Sequence, residues 1–204
     1  MTRTQIPGAF SCPLPKLDYD TIQLAHGSGG RLSAELIETI FLPCFGNTYL
    51  DKLEDQAILP QQDGKLAFTT DSFVVSPLVF PGGDIGELAV NGTVNDLAMS
   101  GATPMYLSAG FILEEGLPVA DLHHIVISMK NAADKAGVQI VTGDTKVVNK
   151  GKCDKLFINT SGVGRIPGDL NLGLSQIKPG DQILLSGTIA DLSLIHISEP
   201  TRPY

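Results

Sequence analysis

Cysteine is scarce in this sequence. Cys12, Cys44 and Cys153 are odd in number, lie far apart and form no CxxC pair. A disulfide framework needs an even set of cysteines, and a cysteine zinc site needs closely spaced thiols. We therefore expect neither, and a reducing compartment, the cytoplasm, is predicted.

Positive charge and long apolar runs are also in short supply. With 14 Lys and Arg against 22 Asp and Glu, the net charge is −8, so a nucleic-acid partner is not expected. No stretch approaches the roughly 18 apolar residues of a membrane span, and residues 1–15 hold no signal-peptide core. A phosphate ligand would need backbone N–H groups or a bound cation.

Apolar residues make up 43% of the 204 residues, enough for a packed core. Two helices have clear limits: one capped by Asp84 and closed by Gly101, and one at Val119–Ala136 with an apolar stripe and Gly137 as its stop. Strands and helices mix, which predicts an α/β or α+β fold. The other predicted elements are extended segments at 21–25, 65–70, 105–113, 138–142, 156–164 and 182–185, and a helix from Leu32 that Pro43 and Gly46 end.

The two ends of the chain do not fit a packed domain. Residues 1–20 have no periodicity and are predicted to be a mobile lead-in. Residues 193–204 read SLIHISEPTRPY, in which an apolar start is followed by two prolines. This segment resembles a translated sequencing adapter, and we expect residues 192–204 to be a non-native tail.

Four acidic signals follow predicted strands or lie in turn-like sequence: Glu54-Asp55, Asp71-Ser72, Asn95-Asp96 and Gly143-Asp144-Thr145-Lys146. Taken singly, an Asp of this kind is more often a turn former or helix cap. Carboxylates brought together need a cation, and Mg²⁺ prefers oxygen ligands and bridges to phosphates. The four signals together predict a magnesium site.

A glycine-rich loop, His26-Gly27-Ser28-Gly29-Gly30, lies before a predicted helix. Such a loop lets backbone N–H groups approach a polyphosphate, although a plain flexible turn is the common alternative. It is neither a GxxxxGK[ST] loop nor GxGxxG, which disfavours P-loop and Rossmann folds. Lys146 could neutralise a phosphoryl group, or be an ordinary surface lysine.

Longer motifs carry a family resemblance. They are HGSGG at 26–30, EDQA at 54–57, TDSFVVSPLVFPGGDIGELAVNGTVNDLAMSGATP at 70–104, GFILEEGLP at 110–118, VTGDTKVV at 141–148 and DKLFINTSGVGRIP at 154–167. Together these motifs resemble the HypE family of hydrogenase maturation factors. Its shorter motifs are shared with aminoimidazole ribonucleotide synthetase, selenophosphate synthetase and thiamine-phosphate kinase. The resemblance covers about residues 20–190.

The resemblance implies a fold like the N-terminal domain of aminoimidazole ribonucleotide synthetase, a mixed sheet packed with helices. It implies an ATP-binding domain at 21–177, a stub of a second α/β domain at 178–191, and pairing into a homodimer. Mg²⁺ would be held by Asp55, Asp71, Asp96 and Asp144, with Lys146 catalytic. The residues that would bind ATP are His26, Gly27, Ser28, Gly29, Gly30, Asn91, Gly92, Thr93, Asn95 and Thr145.

The implied activity is ATP-dependent dehydration of a carboxamide on a C-terminal cysteine to a thiocyanate. HypF would supply the carbamoyl group, and a HypC–HypD complex would receive the cyanide for [NiFe]-hydrogenase. This chain ends Arg202-Pro203-Tyr204 and lacks that cysteine, so we expect it not to complete the reaction alone. Two alternatives are a selenophosphate synthetase-like enzyme, disfavoured because Cys12 lies outside the glycine loop, and a non-catalytic nucleotide-binding dimerisation module.

Overall fold

The fold is centred on a four-stranded mixed sheet. The structure, a computed structural model, describes residues 17–168 and 170–185. The strands of the sheet are β1 (Lys65–Phe73), β4 (Thr103–Glu114), β5 (Gln139–Val148) and β6 (Leu156–Ile166). Their order is β1-β6-β4-β5; β4 and β5 are parallel, and the other pairs are antiparallel. A two-stranded ribbon joins β2 (Val79–Phe80) to β3 (Gly83–Asp84).

Helices cover one face of this sheet. The helices are α1 (Arg31–Leu36), α2 (Leu42–Phe45), α3 (Ile85–Met99) and α4 (Val119–Ala136), with a π-helical turn at Ile37–Phe41 and 3₁₀ turns at Leu24–Gly27, Leu50–Lys52 and Leu174–Gln176. α3 packs on β1, β6 and α4. The predicted stripe of α4 is confirmed, because Leu122, Ile125 and Met129 are buried in the core. The predicted mixture of helices with a mixed sheet is confirmed as well.

The other face of the sheet is bare among the described residues. Along β4, Leu107, Ala109, Phe111 and Leu113 are buried, whereas Ile112 between them is 42% exposed. Alternate side chains of a strand point to opposite faces, so β4 has one covered side and one open side. We call the open side, which also carries Leu66 and Phe68 of β1, the outer sheet face.

The predicted limits of the two main helices are also confirmed. Asp84 caps α3, its Oδ1 accepting from the backbone N–H groups of Gly86 at 2.7 Å and Glu87 at 3.0 Å. Gly101 (φ +72°) follows α3, and Gly137 (φ +67°) follows α4. Both glycines have the left-handed backbone that ends helices and that other residues rarely adopt.

Two strands are longer than predicted. β1 continues through Asp71 and Ser72 to Phe73, and β5 continues through Gly143–Lys146 to Val148, so these polar residues lie within strands and not at their ends. Each strand is an edge of the sheet and pairs along its whole length with one neighbour. Edge strands tolerate polar side chains because one side of the strand faces solvent.

The predicted end of the first long helix, at Pro43 and Gly46, is confirmed in part: Pro43 lies inside the last helical turn, and Gly46 follows it. Two other local predictions were wrong. Of the segment 21–25, Thr21 forms an isolated bridge to Pro118, and Leu24 already begins a 3₁₀ turn. Residues 182–185 are described and lie in no strand. Ile183 and Leu184 are about 90% exposed, and a strand without a neighbour to pair with is not stable.

Some predictions concern residues outside the described part of the chain: most of the lead-in at 1–20, Cys12, and the tail at 192–204. Within residues 17–168 and 170–185, no helix has both the length and the apolar character needed to cross a bilayer.

Candidate functional site

A cavity of about 630 Å³ lies between β5 and the helical segment that runs from residue 24 to residue 45. We call it the β5 cavity. One end is fixed where Gly27 lies against Val147, and the other where Asn47 Nδ2 donates to the Ile140 carbonyl at 2.8 Å. Because a strand rises about 3.3 Å per residue, these ends are about 23 Å apart along β5. The cavity is therefore an elongated groove at the edge of the sheet.

Its two ends differ in polarity. Phe45 and Ile140 lie together at one end, because Asn47 Nδ2 donates to the carbonyl groups of both residues, and they give that end an apolar lining. The Gly27 end is lined by the glycine turn, and Thr145 and Lys146 of β5 flank it. A long groove with an apolar end and a polar end suits a ligand that joins an aromatic group to an anionic one.

The glycine turn lies directly on the edge of β5. A Cβ at Gly27 would be 2.6 Å from the backbone nitrogen of Val147, so only glycine allows this approach. Gly29 has φ +76°, and its N–H donates to Ser33 Oγ at 2.9 Å. Ser28 Oγ donates to the Ala25 carbonyl at 2.9 Å. The turn is thus held in place by its own hydrogen bonds.

His26 is buried at the start of this turn. Its side chain is 1% exposed, and its Nδ1 accepts from the Gln23 backbone N–H at 2.8 Å. Tyr19 contacts the ring edge-on, with the two ring centroids 6.2 Å apart. The Nε2 atom has no hydrogen-bond partner among the described residues. His26 therefore lines the cavity with one ring nitrogen satisfied and the other free.

Asp144 and Lys146 form the rim of the cavity. Lys146 Nζ donates to Asp144 Oδ1 at 2.9 Å, as expected for residues two apart on one side of a strand. They pair in register with Gly110 and Ile112 of β4, so their side chains project toward the outer sheet face. Both side chains are about 65% exposed, so the ion pair contributes little to stability. Its two charges remain accessible to a ligand.

The predicted metal ligands fall into two separate pairs. Asp55 and Asp144 line the β5 cavity. Asp71 lies on β1, and Asp96 lies on α3, where its Oδ2 accepts from Thr69 Oγ1 at 3.2 Å.

These two pairs lie at opposite edges of the sheet. Asp71, Thr160, Ala109 and Gly143 form one row across the four strands. Three strand spacings of about 4.8 Å separate the edges by about 14 Å. In the described part of one chain, no three His, Cys, Asp or Glu side chains are close enough to hold a metal ion.

The predicted nucleotide ligands are divided in the same way. The β5 cavity includes His26, Gly27, Gly29 and Thr145, and Ser28 and Gly30 belong to the same turn. Asn91, Gly92 and Asn95 lie on α3 near β1, and Gly92 faces the ring of Phe73. Thr93 is fully buried, its hydroxyl 2.5 Å from that of Thr160, so its role here is to join α3 to β6.

A helix was predicted in this part of the chain, but its role as a wall of the cavity was not. The wall is formed by residues of α1, the π-helical turn and α2, namely Ser33, Ile37, Glu38, Phe41 and Phe45. A π turn often marks a functional site. Pro43 explains its position, because a proline ring clashes with the carbonyl four residues earlier, here that of Thr39, and the wider turn relieves this clash. A proline inside a helical pattern was therefore the available signal.

Cys153 does not line this cavity, and its surroundings do not favour a reactive thiolate. Burial raises the pKa of its thiol, and the Glu114 and Asp154 carboxylates raise it further. The thiolate is the nucleophile, so a raised pKa keeps Cys153 unreactive near neutral pH.

The sequence matches the family described as AIR synthase related protein, N-terminal domain, over residues 53–166. The carbamoyl dehydratase HypE of Azotobacter vinelandii is 57% identical over 171 residues, which are 84% of this chain and 50% of that protein. A crystal structure of the hydrogenase maturation protein HypE in complex with ATP is 56% identical, with a TM-score of 0.75, over 77% of this chain and 47% of that one.

A crystal structure of a HypE–HypF complex is 52% identical, with a TM-score of 0.63, over 82% of this chain and 56% of that chain. The chain spans about half the length of the curated relatives it matches. These sequence identities and TM-scores confirm the resemblance to HypE that the sequence motifs indicated. The chain therefore belongs to the AIR synthase related family, and it is similar to the hydrogenase maturation protein HypE over about half the length of that protein.

Proposed function

We propose that this chain is the ATP-binding half of a cytoplasmic carbamoyl dehydratase. The observation that carries the proposal is the β5 cavity, an elongated groove whose polar end combines a glycine turn with Asp144 and Lys146. Its apolar end, with Phe45 and Ile140, suits an adenine ring. A similar protein has been solved with ATP, which supports the same ligand here.

The side chains present fit a magnesium nucleotide. Asp55 and Asp144 line the cavity and supply the carboxylate oxygens that Mg²⁺ prefers. Mg²⁺ commonly takes only one or two carboxylates and completes its shell with waters and phosphate oxygens. The buried Nε2 of His26 has no hydrogen-bond partner among the described residues, and a ligand atom in the cavity would supply one.

Two copies of the chain would bring the two edges of the sheet that carry the aspartates side by side. Phe68 is 71%, Leu66 57% and Ile112 42% exposed on the outer sheet face, and an apolar patch of this kind marks an interaction surface. A second copy is the partner we propose. A twofold axis parallel to the strands would place β1 of one copy over β5 of the other. Asp71 and Asp96 of one copy would then approach Asp144 of its partner.

We predict that Phe68→Glu will disrupt this dimer. The substitution introduces a charge into the apolar patch of the outer sheet face, where Phe68 on the edge strand β1 pairs in register with Val163. The variant should be monomeric by light scattering at concentrations where the wild type is dimeric, and its affinity for MgATP should fall with the dimer.

Met99→Glu is the matched control. Met99 is 67% exposed, close to the value for Phe68, but lies at the end of α3 and away from the outer sheet face. This variant should remain dimeric. A monomeric wild type, or equal disruption by both substitutions, would contradict the proposed interface.

The proposed chemistry is ATP-dependent dehydration of a cysteine S-carboxamide to a thiocyanate. An amide oxygen is a poor leaving group, and ATP bound with Mg²⁺ would supply the phosphoryl group that makes it a good one. Lys146, at the rim, would offset the negative charge that develops on the transferred group. HypF is the proposed carbamoyl donor, supported by the similar HypE–HypF complex, and a HypC–HypD complex is the proposed cyanide acceptor for [NiFe]-hydrogenase.

Calorimetry with MgATP tests the proposal directly. The folded chain should release or absorb heat with a saturable one-to-one profile, and EDTA should weaken the binding because the phosphates would lose their cation. No binding by the folded, dimeric chain would overturn the proposed function.

A further inference from the structure

We propose that His26 is held as one neutral tautomer, with its proton on Nε2, and that this N–H donates to a phosphate oxygen of the nucleotide. The inference rests on the proposed function, because it needs a nucleotide in the β5 cavity. It assigns to His26 an atom, a protonation state and a ligand group.

The tautomer follows from one hydrogen bond. The Gln23 backbone N–H lies 2.8 Å from His26 Nδ1, and a backbone N–H can only donate. Nδ1 must therefore be unprotonated, and a neutral ring then carries its proton on Nε2. The Gln23 carbonyl oxygen is also near Nδ1, but at the longer distance of 3.3 Å. With the proton on Nδ1 instead, the Nδ1–H group would face the closer Gln23 backbone N–H, and two donors cannot form a hydrogen bond.

The Nε2 proton then needs an acceptor. His26 is 1% exposed, and its Nε2 has no partner among the described residues. A buried donor without an acceptor is unfavourable and uncommon. Because His26 lines the β5 cavity, a ligand there can supply the missing oxygen.

The position of His26 in the cavity selects the phosphate end of the ligand. His26 precedes Gly27, which lies against Val147, whereas the apolar lining of Phe45 is near Ile140 at the opposite end of β5. A base would occupy the apolar end, so the anionic group would lie at the His26 end. A neutral N–H in the cavity whose rim carries Lys146 matches an anionic oxygen.

Two substitutions separate the two ring nitrogens. In His26→Asn, the amide oxygen can take the place of Nδ1 and keep the Gln23 bond, but nothing replaces Nε2. In His26→Gln, the amide reaches the position of Nε2 instead. We expect His26→Asn to weaken MgATP and MgADP binding about tenfold, equivalent to a hydrogen bond of about 1.4 kcal/mol. His26→Gln should lose less, and adenosine binding should not change.

His123→Asn is the control, because His123 lies on α4 and does not line the cavity. It should bind MgATP as tightly as the wild type. Circular dichroism establishes that each variant is folded before its affinity is compared.

Nitrogen-15 NMR of the wild-type ring tests the tautomer without any substitution. We expect an Nε2-protonated neutral ring at pH 7.5, with an Hε2 resonance that shifts on addition of MgATP. A ring protonated on Nδ1, or an Hε2 resonance unmoved by bound MgATP, would overturn the inference. So would wild-type affinity in folded His26→Asn, or an equal loss for adenosine. Absence of MgATP binding to the wild type would instead refute the proposed function.

Discussion

Replacing Asp144 by asparagine is expected to lower the affinity for MgATP by about 100-fold, or about 2.7 kcal/mol. The carboxylate lies at the rim of the β5 cavity beside Lys146 and is a proposed ligand of the cation. An amide removes the negative charge on which Mg²⁺ binding depends, and leaves Lys146 without the opposite charge that it contacts at 2.9 Å. Calorimetry at constant ionic strength measures the change.

Asp134→Asn provides the comparison. Asp134 also pairs with a lysine, Lys130, and is 63% exposed, against 65% for Asp144, but it lies on α4 away from the cavity. We expect this variant to bind MgATP normally. Equal losses in both variants would point to net charge alone, and an unchanged Asp144→Asn would exclude Asp144 as a ligand.

Gly143→Ala is expected to destabilise the fold by about 1–3 kcal/mol, the usual cost of overpacking a well-packed interior. A Cβ at Gly143 would be 2.5 Å from the carbonyl oxygen of Ala109 on the neighbouring strand. Backbone atoms cannot rotate away, so β5 must move relative to β4. The movement displaces Asp144, and nucleotide affinity should fall together with stability. Denaturant unfolding and calorimetry measure the two effects.

Gly110→Ala is the matched substitution in the same sheet. Gly110 pairs in register with Asp144, and its nearest neighbour to an added Cβ is Asn159 O at 3.8 Å, an ordinary contact. Its free energy of unfolding should stay within about 0.5 kcal/mol of the wild type. A similar loss in both variants would show that the Ala109 contact is not the cause.

The main helices were predictable because their signals are local. Asp84 caps α3 through hydrogen bonds to the next residues, and Gly137 ends α4 through its own backbone conformation. The ends of β1 and β5 were not predictable, since pairing with a neighbouring strand carries each of them past its polar residues. The wall of the cavity depended on a π turn, for which Pro43 was the single sequence signal.

Local sequence also could not predict which acidic residues lie together, for a different reason. Asp71 and Asp144 each lie within a strand, beyond the strand ends that the sequence predicted, and the distance between them depends on strand order. β6 lies between β1 and β4, so the two carboxylates are at opposite edges. Strand order depends on contacts between distant segments, and periodicity along one strand does not reveal it.

The same strand order determines when the fold can form during synthesis. β4, α4 and β5 follow one another and can assemble from neighbouring sequence. β1 must wait for β6, the last strand of the sheet to leave the ribosome, because it has no other partner in the sheet. Thr70 and Thr160, which share a hydrogen bond, are 90 residues apart. Contacts of such long range slow folding, so β1, with its exposed Phe68, stays unpaired until β6 has been synthesised.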